Sequence, residues 1–272
     1  MSDISLTSSD RGALLSLQRT AEVRNEAASR LTTGLETQST ADDPIVFNEA
    51  SAIRDRVNDL LNAKDRIGQG ISAIETSLDG LDALSNLNDQ LRGIARSALG
   101  GDETQRQIAA EQFDRVRAQF DALAADSSFG GTSLLTSTSE QLSIPVNDRG
   151  TTLDIQGAAS DSTGLGLGNA SGSFNAFQSD ADIRAALDQL DSVRGSLRTT
   201  SQNFGGDVAS LQVRDSFNTQ LSNTLETGAQ NLVEADLNEE AARLLAADLR
   251  EQLSLSGLQI TQDSTALLAE II

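Results

Sequence analysis

Between Ile53 and Leu81 apolar residues recur at alternating steps of four and three: Ile53, Val57, Leu60, Ile67, Ile71, Ile74, Leu78 and Leu81, with Lys64 filling one seam position. Such spacing keeps every side chain on one narrow stripe of an α-helix, as in a coiled coil. The stripe continues through Leu84, Leu87, Leu91 and Ile94, but three successive steps of three between Leu78 and Leu87 carry it around the helix. Asp43-Pro44 can open the helix and Gly100-Gly101 can close it. Unbroken over 44–99, it would be roughly 84 Å long at about 1.5 Å per residue. A lone helix of that length cannot bury its stripe, so partner helices are required.

The rest of the chain offers them. Residues 8–34 read as a helix with Ser8 or Ser9 as cap and Gly34 as stop, and residues 236–268 read as another, opened by Asp236 and Glu239. Asp102 with Gln105 caps a shorter helix whose buried face is Ala109, Phe113, Val116, Phe120 and Leu123. Ser179 with Asp182 starts a helix over 180–232, with Gly205-Gly206 as the place for a kink or fray. Glu36 to Asp43 is a polar connector, and Phe129-Gly130-Gly131 is a turn. Residues 133–178 differ: Leu142–Val146 and Thr151–Ile155 alternate around Asn147-Asp148-Arg149-Gly150, a hairpin connection, with Pro145 on an edge. Ala158 to Ser173 is Gly/Ser-rich and reads as loop. The expected fold is mainly α: a long antiparallel helical bundle or coiled coil with paired N- and C-terminal helices and a small β-hairpin insert. Two domains follow, a terminal one from 1–43 and 233–272, and a larger one over 44–232 that includes the 133–178 insert.

Composition narrows the function. The chain of 272 residues has no His, Cys, Trp or Tyr. That removes thiol nucleophiles, soft metal ligands and near-neutral acid–base groups. The carboxylate pairs Asp42-Asp43 and Glu239-Glu240 both sit at helix starts, where they complement the helix dipole. No phosphate-binding loop, nucleophile motif or metal box is present, so no enzyme, cofactor or metal is expected. A formal net charge of −20 argues against nucleic acid. No apolar run approaches the roughly 18 residues of a membrane span, so no membrane insertion is expected. Met1 to Leu6 lacks the form of a secretory signal peptide.

Two segments resemble bacterial flagellin. Arg30-Leu31-Thr32-Thr33-Gly34-Leu35, followed by Ala41-Asp42-Asp43, is similar to the family's "R-L-S-S-G" and "A-K-D-D" elements at matching separation. Ala235-Asp236-Leu237-Asn238-Glu239-Glu240-Ala241-Ala242-Arg243-Leu244 resembles the start of the flagellin C-terminal helix, and Arg250-Glu251-Gln252-Leu253 its "R-Q-Q-L". Phe129-Gly130-Gly131 resembles "F-N-G". The order and placement of the set at both chain ends make it specific, and it covers about residues 4–135 and 180–265. Pro44 departs from the small residue usual in flagellins, and Asp42-Asp43-Pro44 also resembles the hook–filament junction protein of the same fold. The ending Leu267 to Ile272 lacks the usual aromatic residue, and the start lacks "I-N-T-N".

The resemblance implies a short, core-only structural subunit that polymerises into the extracellular flagellar filament for swimming. It implies export unfolded by the flagellar type III route, end segments disordered in the free monomer, and as partners the chain itself, the filament cap, hook-junction proteins and an export chaperone. The alternatives are the junction protein, a cytoplasmic coiled-coil scaffold and, remotely, a carboxylate hydrolase. The candidate assembly residues are Leu14, Leu17, Ala21, Ala28 and Leu31 on the first helix, with Leu244, Leu245, Leu249, Leu253, Leu258 and Ile260 on the last. For Leu60 to Leu81, bundle core and inter-subunit contact both stand. Residues 137–178 are expected on the outside of the polymer, with Ser and Thr open to glycosylation and room for a tag near Ser160. In flagellins detected by the innate receptor, an "R-V-R-E-L-A" element lies on the first long core helix. The matching stretch here begins Gln90, Leu91, Arg92, Gly93, Ile94, which loses the leading Arg and the acidic residue; a one-residue shift would align Arg92 instead.

Overall fold

The computed structural model describes residues 8–271. The amino-terminal Met1 to Leu6 segment and the final Ile272, both part of the expected terminal domain, lie outside the described residues. The order of elements is α1 (Ser8–Thr33), α2 (Pro44–Ala98), α3 (Glu103–Asp126), β1 (Gln141–Pro145), β2 (Thr152–Gln156), α4 (Ala170–Ser173), a short turn (Asn175–Phe177), α5 (Asp180–Val233) and α6 (Leu237–Ile271). The contacts divide the chain into two compact units: Met1–Asp55 with Thr224–Ile272, and Arg56–Asn223.

Local chemistry sets the helix boundaries. Asp43 caps α2, accepting the amides of Ile45 and Val46 at 2.9 and 3.0 Å. Asp102 and Gln105 form a reciprocal capping box at α3, and Ser179 and Asp182 form another at α5. At α6 the box is half made. Asp236 accepts the amides of Asn238 and Glu239, but the Glu239 carboxylate pairs with Arg243 instead. Gly34 (φ +73) and Gly100 (φ +72) end α1 and α2 in the left-handed conformation that glycine adopts freely. The interruption expected at Gly205-Gly206 does not occur, and α5 runs through both. Phe204 and Leu211 on either side are buried, so packing offsets the roughly 1 kcal/mol that each helical glycine costs relative to alanine.

The unit Arg56–Asn223 holds the large core. Ile67, Ile74, Leu81, Leu84 and Leu91 of the α2 stripe are buried, and Ile71, Leu78, Leu87 and Ile94 pack partly against the same cluster. This stripe is therefore bundle core. Its opposing side chains are Phe113, Val116 and Phe120 from α3, and Ile183, Leu190, Val193, Leu197, Phe204 and Leu211 from α5. Near the slip in the stripe, α2 buries Ser77 and Leu81, and a Cβ at Gly80 would collide with Ser127 just beyond α3. Turning the stripe at this level lets one helix face two neighbours.

β1 and β2 form an antiparallel hairpin in register Leu142↔Ile155 and Ile144↔Leu153. Ile144, Val146 and Ile155 point into the core, and the Ile144 side chain occupies the space that a Cβ at Gly70 would need. Arg56 on α2 pairs with Asp148 at 2.5 Å, and the Asn218 side-chain amide on α5 donates to the Val146 carbonyl at 3.0 Å. The hairpin is thus clamped to both long helices.

Part of the insert is built into the core, although its composition reads as loop. Ser160 and Ser162 are fully buried, as are Leu167, Ala170, Phe174 and Phe177. Asp121 accepts the Ser162 amide at 2.7 Å and its hydroxyl at 2.8 Å, and Asp114 accepts the Ala170 amide at 2.6 Å. Two α3 carboxylates therefore satisfy polar groups that look like surface groups in the sequence. Asn175, Ala176 and Phe177 all have positive φ (47, 51 and 60), a costly conformation for L-residues. It is held by Phe177, which stacks edge-on to Phe113 at 5.4 Å and lies beside Phe174 at 6.3 Å.

Candidate assembly surfaces

The unit Met1–Asp55 with Thr224–Ile272 brings the two ends of the chain together. α1 and α6 pack antiparallel: Arg24 meets Glu251 at 2.9 Å, and Arg30, one to two turns further along α1, meets Glu240 at 3.2 Å, nearer the start of α6. The connectors join as well. The Glu36 amide donates to the Val233 carbonyl at 2.7 Å and the Ala235 amide to Gly34 at 3.0 Å, around a bridge between Leu35 and Glu234.

Both resemblance motifs lie at this junction. Arg30 donates to Glu26 at 2.7 Å and to the buried Glu240, which also accepts from Arg243 at 3.2 Å. Arg243 completes the set with Glu239 at 2.6 Å, and these carboxylates raise its pKa. Asp42 accepts the amides of Gln38 and Ser39, at 3.0 and 2.9 Å, and those N–H groups hold its carboxyl below the usual carboxylate range. Asp43 is thus a helix cap, Glu239 and Glu240 are ion-pair partners, and Asp42 ties down the connector amides. Among the described residues no group of His, Cys, Asp or Glu could hold a metal.

The buried apolar residues of this unit are mostly alanines: Ala27, Ala50, Ala229, Ala235 and Ala247, with Val233. None of its described leucines is fully buried, and several face outward. Of the sequence-derived assembly residues, Leu14, Leu245, Leu249, Leu253 and Ile260 are exposed, Leu249 to 54% and Leu253 to 71%. Leu17, Ala21, Ala28, Leu31, Leu244 and Leu258 are half-buried. Leu15, Val23 and Leu255, outside the sequence-derived set, are also exposed. In a pair of helices that meet through alanines, an apolar side chain off the seam has nothing in the single chain to cover it.

The receptor-like stretch lies in the other unit. Gln90 and Gly93 face solvent, Leu91 is in the core, and Ile94 is half-buried. Arg92 is buried and reaches Asp191 on α5 at 2.6 Å. One turn earlier the buried Asn88 donates to the Leu190 carbonyl at 3.2 Å. Arg92 is therefore part of the α2–α5 contact rather than of the surface.

Residues 4–140 match the family description "bacterial flagellin N-terminal helical region". Flagellin FljO of Caulobacter vibrioides is 25% identical over 265 residues, covering 94% of each chain. A flagellin of Brucella melitensis is 22% identical over 278 residues, covering 97% of this chain and 96% of its own. Among solved structures, a protein assigned as flagellar hook-associated from Vibrio parahaemolyticus superposes with a TM-score of 0.61 at 14% identity, over 71% of this chain and all of that one. That last likeness is one of fold.

Proposed function

Because the chain belongs to the flagellin family, we propose that this flagellar structural protein, which is not an enzyme, polymerises into the flagellar filament that drives swimming. The observation that carries the reading is the α1–α6 pair. It ties the two chain ends together through alanines and ion pairs while leaving Leu14, Leu245, Leu249, Leu253 and Ile260 uncovered. Exposed apolar surface on this scale marks a contact site. In a helical polymer neighbouring copies cover it, and their contacts offset the cost of ordering the ends.

The relatives are flagellins, and flagellar filaments lie outside the cell. Among the described residues no helix is long and apolar enough to cross a membrane. Export in unfolded form by the flagellar type III route accounts for that location. The filament cap, hook-junction proteins and an export chaperone are the further partners this reading implies. The alternative is a hook–filament junction subunit, which shares the fold and forms no long homopolymer. Electron microscopy of purified protein seeded with flagellar fragments separates them. The proposal expects long filaments; seeds that do not elongate favour the junction role.

A further inference from the structure

α1 and α6 enclose a groove of about 560 Å³ along Gly12 to Val23 and Arg243 to Arg250. Its lining includes Leu15, Val23, Ala246 and Ala247, and Arg19 from α1 and Arg250 from α6 contribute guanidinium groups. A Cβ at Gly12 would meet nothing, so this end is open. Arg243 is neutralised by Glu239 and Glu240, whereas Arg19 and Arg250 form no ion pair among the described residues. Two cations without an ion-pair partner among the described residues, beside apolar Leu15, Val23 and Ala247 and the hydroxyls of Ser16 and Thr20, are a specific feature in a chain of net charge −20.

The start of α2 carries the complementary surface. Ile45 is 77% exposed, and Glu49, Ala52 and Asp55 are exposed beside it. At 3.6 residues per turn Ala52 lies about 20° from Ile45 around the helix, with Glu49 about 40° to one side and Asp55 about 80° to the other. The result is an apolar strip flanked by a carboxylate on each side. Neither carboxylate forms an ion pair among the described residues.

We propose that the groove receives the Ile45–Asp55 face of a second copy of this chain. Ile45 and Ala52 lie along the floor, and Glu49 and Asp55 meet Arg19 and Arg250. An amphipathic helix laid in an apolar groove is a common recognition mode, and charge pairs at its rim fix register and orientation. The two surfaces differ, so the contact is heterologous and propagates rather than closing into a dimer. It also sets cations against carboxylates between copies that otherwise repel one another. The inference rests on the filament reading and names the surfaces that would carry it.

The test is seeded polymerisation of the full chain, followed by sedimentation, with three variants. Arg19→Glu with Arg250→Glu, and Glu49→Arg with Asp55→Arg, should each raise the critical concentration at least about tenfold, because like charges then face each other. All four substitutions in one chain should restore polymerisation, since each copy then presents both reversed surfaces. Circular dichroism of the monomers should be unchanged. Normal polymerisation of both double variants would overturn the proposal and leave the groove to a different protein. A quadruple variant no better than the doubles would also overturn it, by showing that these residues do not face one another. If the unmodified chain elongates no seed, the filament reading fails and this inference falls with it.

Discussion

Arg30 on α1 and Glu240 on α6 meet at 3.2 Å across 210 residues of sequence, and Glu240 is only 5% exposed. Glu26 and Arg243 extend the pair into a chain of charges on either side. Among the described residues it is the better buried of the two ion pairs between α1 and α6, in a unit whose apolar core is mostly alanine. Glu240→Ala should loosen the terminal pair by about 1.5–3 kcal/mol, the range for losing a hydrogen bond to a charged group. Limited proteolysis of the monomer should trim residues within 1–40 and 233–272 first, faster in Glu240→Ala than in the unmodified chain. The core should cut at equal rates in both. Ends as resistant as the core would mean that the pair is stable without neighbours.

Acid should loosen the connector. The folded pKa of Asp42 lies below its ordinary 3.8 because the Gln38 and Ser39 amides bond the charged form. A depressed pKa means the stabilisation is full above the unfolded value and is lost as pH falls through the folded one. Cleavage between residues 38 and 42 by an acid-active protease should therefore rise below about pH 4. In Asp42→Asn it should already be fast at neutral pH and change little with acid.

Two glycines of α2 should respond in opposite directions. Gly70→Val would press on Ile144 and cost about 1–3 kcal/mol by overpacking, read as a lower urea midpoint. Gly93 has nothing near its missing side chain, so Gly93→Ala should stabilise by about 1 kcal/mol through helix propensity. Equal shifts would show that the hairpin is not seated on Gly70.

The pairing of the buried Arg92 with Asp191 bears on recognition by the innate flagellin receptor. With Arg92 held against α5, the one-residue shift does not present an exposed cation, and Gln90 and Gly93 remain at the surface. Missing charge-assisted contacts cost roughly 1.5–3 kcal/mol, about tenfold or more in affinity. Monomer should activate reporter cells weakly, and Gln90→Arg with Gly93→Glu should gain activity. Potency equal to that of an enterobacterial flagellin would refute this.

The helical plan was legible because its signals are local. Asp43-Pro44, Asp102 with Gln105, Ser179 with Asp182, and Gly34 mark ends by bonding their own backbone, and the turn residues 147–150 set the hairpin register. The burial of Ser162 is not legible in the sequence because its acceptor, Asp121, lies some forty residues away, and no composition rule reports a distant acceptor. The left-handed turn at 175–177 carries no glycine, and the packing of Phe177 against Phe113 and Phe174 holds it. Gly205-Gly206 resembled a break, yet helix hydrogen bonds use backbone alone and buried neighbours kept the helix whole. The exposed leucines of α1 and α6 were found as stripes, but that alanines rather than leucines fill the α1–α6 seam emerged only from the packing.

The most direct test of the account is Leu249→Asp, measured as monomer and as polymer. Leu249 is 54% exposed in the single chain, so the monomer melting temperature should stay within about the effect of a surface substitution, ±0.5 kcal/mol. In a polymer that covers this face, an unpaired carboxylate would be desolvated at a cost of several kcal/mol, and seeded filaments should not grow. An unchanged melt with no filaments is the predicted result. Filaments of normal length from Leu249→Asp would contradict the claim that neighbouring copies cover the leucine face of the terminal helices.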